Sequence, residues 1–252
     1  MLEHVHAIRY VTPLREGGSL PGIVEADDDG TYVLKFRGAG QGLKVLVAEV
    51  IVGEIGRAIG LRVPDMRAVT LDARIAKYEA DQEVQDLLTA SVGLNLGVDF
   101  LPGSFGYDGS QPPSPQLAAR VLWLDAFTAN VDRTWSNPNL LVWHGQTWAI
   151  DHGAALYFHH SWPSHGSDPA RFAAQPFDAG NHVLRDVADD LAPAHDDLAA
   201  IARAALIDGA LNQVPDEWLE ATEAMPDPEA VRTAYRLSLL ARLENPSAWL
   251  LS

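Results

Sequence analysis

Residues 131–153, VDRTWSNPNLLVWHGQTWAIDHG, concentrate carboxylate and amide side chains around two short apolar runs. Asp132 and Asn137 precede the first run, Asn139 opens it, and Asp151 follows the second. The runs LLVW and TWAI flank HGQ, which predicts a hairpin with a three-residue turn. In such a hairpin Asn139 faces Asp151, roughly 5 Å away between Cα atoms, so acidic and amide oxygens meet at one place.

These side chains suit the chemistry of phosphate groups. Mg²⁺ prefers carboxylate and carbonyl oxygens and keeps its remaining positions for water and phosphates. Phosphoryl transfer also needs a carboxylate that orients or deprotonates the attacking hydroxyl. A helix, Asp132, Asn137, a hairpin and Asp151 follow one another in the order that kinase-like enzymes use for catalytic base, metal-binding amide and metal-binding carboxylate. The alternative is a surface hairpin with ordinary turn residues.

The composition argues against several classes of function. The 252 residues carry a net charge of −16, so nucleic-acid phosphates and anionic membrane surfaces would be repelled. There are no cysteines, which removes disulfides and thiolate metal sites from consideration. The start MLEHVHAIRYV lacks the pattern of a secretory signal, and no run of about 18 apolar residues follows. We therefore expect a cytoplasmic protein without a membrane-inserted segment.

The first part of the chain has a strand that carries one of the three lysines. In TYVLKF, Tyr32, Leu34 and Phe36 share one face, and Lys35 lies on the other among apolar neighbours. Since arginine supplies the other basic residues, each lysine has a raised chance of a specific role. Residues 44–60 then predict a buried helix that stops at a glycine.

The remaining segments indicate an α+β fold with two parts. The predicted elements are a strand at 67–72, a helix at 76–91, a strand at 95–103, a linker at 105–116 and a helix at 116–131. A strand-rich part thus precedes a mainly helical one, with the boundary near residues 98–116. We expect an N-terminal lobe over 1–100 and a C-terminal lobe over 101–252.

Four segments together carry a resemblance to a known family. NVDRTWSN resembles the Asn-x-Asp-x-x-x-x-Asn loop of the HipA-like kinases, and DRTWSN with AIDHGAAL is also similar to the loops of phosphatidylinositol kinases. Upstream, GGSLPGIV, YVLKF and AEVIVGEIGRAIGLRVP resemble the glycine segment, the lysine strand and the next helix of the HipA-like proteins. The matches follow the family's order over roughly residues 15–155, and they indicate a minimal catalytic core of a two-lobed, protein-kinase-like fold.

The resemblance implies an ATP site in the N-terminal part, with the nucleotide between two lobes. Lys35 is expected to bind the α- and β-phosphates and to pair with a helix glutamate, which is Glu49 by position. The glycine segment contributes Gly17, Gly18 and Ser19 to the same site.

The resemblance also implies the catalytic roles. Asp132 is expected to be the catalytic base, and Asn137 and Asp151 are expected to hold Mg²⁺. Asn139 stays open as an alternative to Asn137 for the metal-binding amide. We therefore predict an ATP- and Mg²⁺-dependent kinase, with protein Ser or Thr favoured as the acceptor and a lipid headgroup or small metabolite also open.

Two other functions compete with this prediction. A pseudokinase would hold nucleotide, or nothing, and act through partner proteins. A metal-dependent hydrolase would use the histidine-rich stretch 144–165, although its spacing does not reproduce a zinc-binding helix motif. The histidines concerned are His144, His152, His159, His160 and His165.

Overall fold

The computed structural model describes residues 1–14, 20–40, 42–77, 79–162 and 166–250, which form two compact units. The first unit contains Met1–Leu46 and Pro64–Pro102, and the second contains Val47–Val63 and Gly103–Ser252. The mixture of strands and helices confirms the α+β class. Lobes at 1–100 and 101–252 were expected; in the units, residues 47–63 group with the second one, and residues 101 and 102 group with the first.

Among its described residues, the first unit is built on a closed five-stranded barrel with the order β1-β2-β3-β5-β4. The strands are β1 (His4–Pro13), β2 (Gly22–Ala26), β3 (Thr31–Lys35), β4 (Met66–Leu71) and β5 (Gly93–Asp99). A parallel pair between β1 and β4 closes the barrel, and the other pairs are antiparallel. The predicted alternation on β3 is confirmed, because Tyr32 and Leu34 are buried and Lys35 is half-buried.

Two short helices accompany the barrel, α2 (Ala73–Ala76) and α3 (Gln82–Ala90). The prediction of one continuous helix over 76–91 was wrong, because a new helix starts after Asp81. The Asp81 carboxylate accepts hydrogen bonds from the amides of Glu83 and Val84, which caps α3 at its N-terminus. Val84 and Leu88 then lie one helical turn apart and pack into the barrel core.

Helix α1 (Leu43–Ala58), from Val47 onward, and helix α4 (Pro115–Thr128) contribute buried residues to the second unit. At Gly56 of α1 an added Cβ would lie 3.2 Å from Leu124, so glycine permits the two helices to pack closely. Ser114 caps α4, and most of the helix from Ala118 to its end is buried. Ala129 adopts a φ of +56° and ends the helix, which delivers the chain into the segment at 130–139.

A small antiparallel sheet follows, in the order β6-β7-β8. Its strands are β6 (Phe105–Gly106), β7 (Leu140–Trp143) and β8 (Gln146–Ala149), so the stretch predicted as a linker begins with a strand. The β7–β8 turn has two residues rather than three, because His144 and Gly145 both adopt positive φ, as a type I′ turn requires. The register therefore places Asn139 opposite Ile150, and the predicted Asn139–Asp151 pair was wrong by one position.

The rest of the second unit is helical. It contains α5 (Pro169–Ala173), α6 (Ala192–Ile201), α7 (Ala204–Leu211) and α8 (Pro228–Leu243), with 3₁₀ turns at Tyr157–Ser161, Asp216–Trp218 and Pro246–Ala248. Buried Arg242 of α8 donates to the carbonyls of Phe172, Gln175 and Ala126, which ties α8 to α4 and α5. In the part of the chain that the structure describes, no helix is long and apolar enough to cross a membrane.

Candidate active site

Asp132 lies just beyond the end of α4, and its half-buried side chain accepts hydrogen bonds from two side-chain amides. The Nδ2 of Asn137 donates to Asp132 Oδ2 over 2.7 Å, and the Nδ2 of Asn139 donates to the same oxygen over 3.3 Å. The structure thus brings together three of the four polar side chains that the sequence singled out in this segment. Neither amide binds Asp132 Oδ1.

These hydrogen bonds fix the orientation of both amides. A carboxylate can only accept hydrogen bonds, so each asparagine must turn its nitrogen towards Asp132 and its Oδ1 away. Asn137 is exposed to solvent, whereas Asn139 is buried, with an exposed fraction of 8%. An outward-facing amide oxygen on an exposed side chain is available to a cation, and Asn137 meets both conditions.

A tight turn brings Asn137 back to Asp132. The amide of Thr134 donates to the carbonyls of Asp132 and Asn137, each over 3.0 Å, and the amide of Asn137 donates to the Thr134 carbonyl. The Thr134 hydroxyl also contacts that of Ser136. Because these hydrogen bonds close a turn, the side chains of Asp132 and Asn137 are in direct contact although the residues are five positions apart.

The side chain of Arg133, a residue of this loop, is buried, and each of its five N–H donors has an acceptor. Nε and one Nη2 hydrogen serve the two oxygens of Asp125, at 2.6 and 3.3 Å. Nη1 donates to the backbone carbonyls of Asn139 and Ile150, the residues that face each other across the hairpin. The second Nη2 hydrogen reaches Nδ1 of His152. One guanidinium therefore joins α4, the loop of Asp132 and both ends of the hairpin.

Asp125 is the anionic centre of this network. Its oxygens also accept from Asn130 Nδ2 and His182 Nε2, at 3.0 and 2.9 Å. His182 donates to Asp125 through Nε2, while its Nδ1 accepts a hydrogen bond from the Leu184 amide. Burial by itself raises the pKa of Asp125, but the charge of Arg133 and the hydrogen bonds from His182 and Arg133 outweigh it and lower the pKa to about 2.

Asn130 connects this buried centre to the backbone of Asp132. Its Nδ2 donates to Asp125, and its Oδ1 accepts the amide of Asp132 over 3.2 Å. The amide nitrogen of Asn130 therefore has an acceptor, and its amide oxygen has a donor. Asp132 is therefore positioned through its own backbone, through Arg133 and through the two amides on its carboxylate.

Asp151 follows directly after the hairpin. The amide of the preceding residue, Ile150, donates to the Asn139 carbonyl over 3.1 Å, and the Ile150 carbonyl accepts a hydrogen bond from Arg133. Asp151 is half-buried and adopts a φ of +53°, a left-handed conformation that is uncommon for a residue other than glycine. Its backbone is consequently fixed to the same hairpin end as Asn139.

Of the residues expected to bind nucleotide, Lys35 belongs to the first unit and Glu49 belongs to the second. Lys35 is half-buried at the end of β3 in the first unit, where it pairs with Leu96 of β5. Glu49 is 2% exposed on α1, in the part of that helix that belongs to the second unit. Gly17, Gly18 and Ser19 lie outside the described residues. The roles of all five stay predictions.

The histidines of the stretch 144–165 have different surroundings. His144 is exposed in the β7–β8 turn, His152 contacts Arg133, and His159 Nδ1 is 2.9 Å from the Tyr235 hydroxyl. His160 is half-buried beside His159, and His165 lies outside the described ranges. Across the ranges that the structure does describe, no group of three His, Asp or Glu side chains could hold a metal ion. The geometry of these residues does not favour a histidine-based metal site.

Sequence reasoning missed three residues that hold the site together, namely Asp125, Arg133 and His182. Two of them carried a signal. Asp125 is the single charge in the apolar run VLWLDAFT, and a charge in such a helix is rarely buried without a partner. Arg133 stands within the quoted motif, next to Asp132. His182 has no comparable signal, because it is 57 residues from Asp125 in the chain.

Comparison with known proteins adds independent information. The family model described as HipA-like kinase matches residues 7–251, which confirms the resemblance inferred from the motifs. No curated protein sequence matches.

The fold is similar to that of a solved kinase structure. The proinflammatory kinase CtkA of Helicobacter pylori superposes with a TM-score of 0.55 at 11% identity, over 95% of this chain and 94% of the other. A Golgi casein kinase gives a TM-score of 0.47 at 12% identity over 98% and 74%. The same kinase with Mn and ADP bound gives 0.47 at 12% over 96% and 73%.

Proposed function

The chain belongs to the HipA-like kinase family, and we propose that it is a two-lobed, ATP- and Mg²⁺-dependent phosphotransferase that acts on a hydroxyl group. The single observation that carries this proposal is the Asp132 carboxylate, which is oriented by Asn137 and Asn139 and tied to a buried Arg133–Asp125 pair. A carboxylate held in this way suits a catalytic base, because its position is set before the substrate arrives.

In the proposed reaction, the oxygen of the acceptor hydroxyl attacks the γ-phosphorus of ATP. The bond between that phosphorus and the β–γ bridging oxygen breaks, and ADP leaves. Asp132 takes the hydroxyl proton at Oδ1, the oxygen that neither amide binds. The two amides on Oδ2 keep the carboxylate from rotating, so Oδ1 stays directed towards the acceptor.

The residues present fit a magnesium ion. Asn137 offers an amide oxygen, because its nitrogen is committed to Asp132, and half-buried Asp151 offers a carboxylate. Mg²⁺ bound by these oxygens would neutralise charge on the ATP phosphates. We assign the amide role to Asn137 rather than to the buried Asn139. Lys35, Glu49, Gly17, Gly18 and Ser19 remain assigned to nucleotide binding on the basis of the family motifs.

We favour a protein Ser or Thr as the acceptor, in keeping with the family resemblance. A pseudokinase remains the alternative function, because the same polar residues could bind nucleotide without transferring phosphate. The buried Arg133 network favours a kinase, since it fixes the position of Asp132, a residue that nucleotide binding alone would not require.

The test compares phosphate transfer with nucleotide binding in two variants. Asp132→Ala should keep Mg·ATP binding within a few-fold and abolish γ-phosphate transfer to itself or to a cell extract, because a base acts in the transition state. Asp151→Ala should lose Mg²⁺-dependent binding as well. Exposed Asp197 of α6 provides the control, and Asp197→Ala should change neither quantity. Wild-type protein that binds Mg·ATP but transfers no phosphate would favour the pseudokinase.

A further inference from the structure

Trp135 is an exposed aromatic side chain three residues after Asp132. Its exposed fraction is 59%, which is high for a large apolar residue in the middle of a hydrogen-bonded loop. The loop itself is closed by the hydrogen bonds between Thr134 and Asn137, so the Trp135 backbone has a defined position. Trp135 thus presents an exposed indole on the same hydrogen-bonded loop as Asp132 and Asn137.

Two residues, Tyr107 and Gly109, pack against the indole of Trp135. The ring of Tyr107, itself only 4% exposed, stacks on Trp135 with 6.1 Å between centroids and 25° between planes. Gly109 lies against the same indole, and a Cβ added there would come within 3.1 Å of Trp135 Cη2. Gly109 also has a φ of +84°, which other residues rarely adopt. The exposed ring is therefore held in one orientation, as a preformed binding surface requires.

The short segment that contacts the indole also carries an acidic residue. Asp108 stands between Tyr107 and Gly109, the two residues that contact the indole, and its carboxylate accepts the Ser110 amide over 2.9 Å. Hydrogen bonds from Ser110 lower the pKa of Asp108, so the group is charged at neutral pH. Arg133, the basic residue beside Asp132, is buried with its five donors engaged. Residues 103–252 contain 19 acidic residues against eight arginines, and no lysine.

From these observations we infer that Trp135 and Asp108 bind a cationic side chain, arginine or lysine, of a polypeptide acceptor. A guanidinium or ammonium group is attracted to the face of an indole, and a neighbouring carboxylate adds an ion pair. The inference rests on the proposed kinase function and narrows its substrate class to Ser or Thr segments with a nearby basic residue. Phosphorylated headgroups and other anionic acceptors fit poorly, since the surface would repel them.

The experiment compares peptide pairs that share one Ser or Thr and differ only by arginine or neutral citrulline at successive positions. For wild type, one position should show kcat/KM about tenfold higher with arginine than with citrulline, the size expected of a cation–π contact with an ion pair. Trp135→Ala should abolish this difference through KM, with kcat little changed. Trp135→Phe should retain part of it, and Asp108→Asn should reduce both the difference and its dependence on salt. Leu237→Ala, at an exposed apolar residue of α8, is the matched control and should keep the full difference.

Two results would overturn the inference. The first is a wild type that treats arginine and citrulline peptides alike at every position. The second is Trp135→Ala protein that loses activity equally towards both members of each pair, which would make the ring a support of the loop rather than a binding group.

Peptide binding by calorimetry, with a non-hydrolysable ATP analogue present, separates this inference from the proposed function. Tighter binding of the arginine peptide that disappears in Trp135→Ala supports the docking site even if no phosphate is transferred, whereas transfer without any arginine preference retains the kinase and rejects the site.

Discussion

The Nδ2 of Asn137 lies 2.7 Å from Oδ2 of Asp132, so the two residues that the motif spaces five positions apart are in direct contact. Asp132 Oδ2 accepts hydrogen bonds from the amides of Asn137 and Asn139, and neither amide binds Oδ1. In the proposed mechanism, Asp132 Oδ1 takes the acceptor proton and Asn137 Oδ1 binds the cation.

Replacement of the two asparagines distinguishes between them as metal ligands. Asn137→Ala should raise the Mg²⁺ concentration needed for half-maximal ATP binding at least tenfold, because it removes an exposed amide oxygen. Asn139→Gly should change this concentration much less, and glycine tolerates the positive φ of +49° at that position. Calorimetry over a Mg²⁺ series measures both. A larger effect at Asn139 would transfer the ligand role to that residue.

Loss of Arg133 should be costly because a buried carboxylate then lacks its charged partner. We expect Arg133→Met to lower the free energy of unfolding by about 3–5 kcal/mol, the range for breaking a buried ion pair. Arg133→Lys should fall between, since lysine keeps the charge but cannot supply five N–H donors in a planar arrangement. Urea unfolding gives the values. Arg185→Met, at an exposed position, should change stability by less than about 0.5 kcal/mol, and an equal loss there would contradict the buried network.

The acid stability of the protein should depend on Asp125. Its pKa is lowered from 3.8 to about 2 in the folded state, so its contribution is complete above pH 4 and is lost as the pH falls towards 2. This difference corresponds to about 2 kcal/mol of unfolding free energy. The ¹³Cγ shift of Asp125 should remain that of a carboxylate at pH 3 while the protein is folded. A titration midpoint near 4 would show that Arg133 and His182 do not stabilise the charge.

The lysines offer a matched comparison for nucleotide binding. Lys35→Ala, at the half-buried end of β3, should weaken ATP binding at least tenfold if the side chain binds phosphates. Lys77→Ala, at the exposed end of α2, should leave ATP binding unchanged. Calorimetry and thermal melting on both variants separate lost binding from lost stability. Equal effects of the two substitutions would remove the case for Lys35.

The sequence by itself determined several elements and the order of the site residues along the chain. Alternation on β3 predicted which face is buried, the apolar run before Asp132 predicted α4, and the motif predicted that Asp132 and Asn137 lie at one place. These features depend on neighbours within a few residues, where side-chain periodicity and capping decide the backbone.

Tertiary structure decided the rest, since it depends on contacts between distant parts of the chain. The hairpin register is a local exception, because it was set by two positive φ angles in the turn that a pattern of apolar residues does not reveal. Asp125 and His182 meet across 57 residues, and only the packing of the second unit makes them partners. The contacts of Trp135 with Tyr107 and Gly109 likewise join separate segments of the chain. The residue types limit the chemistry that is available. Packing decides which groups lie close together and which ones are exposed to solvent.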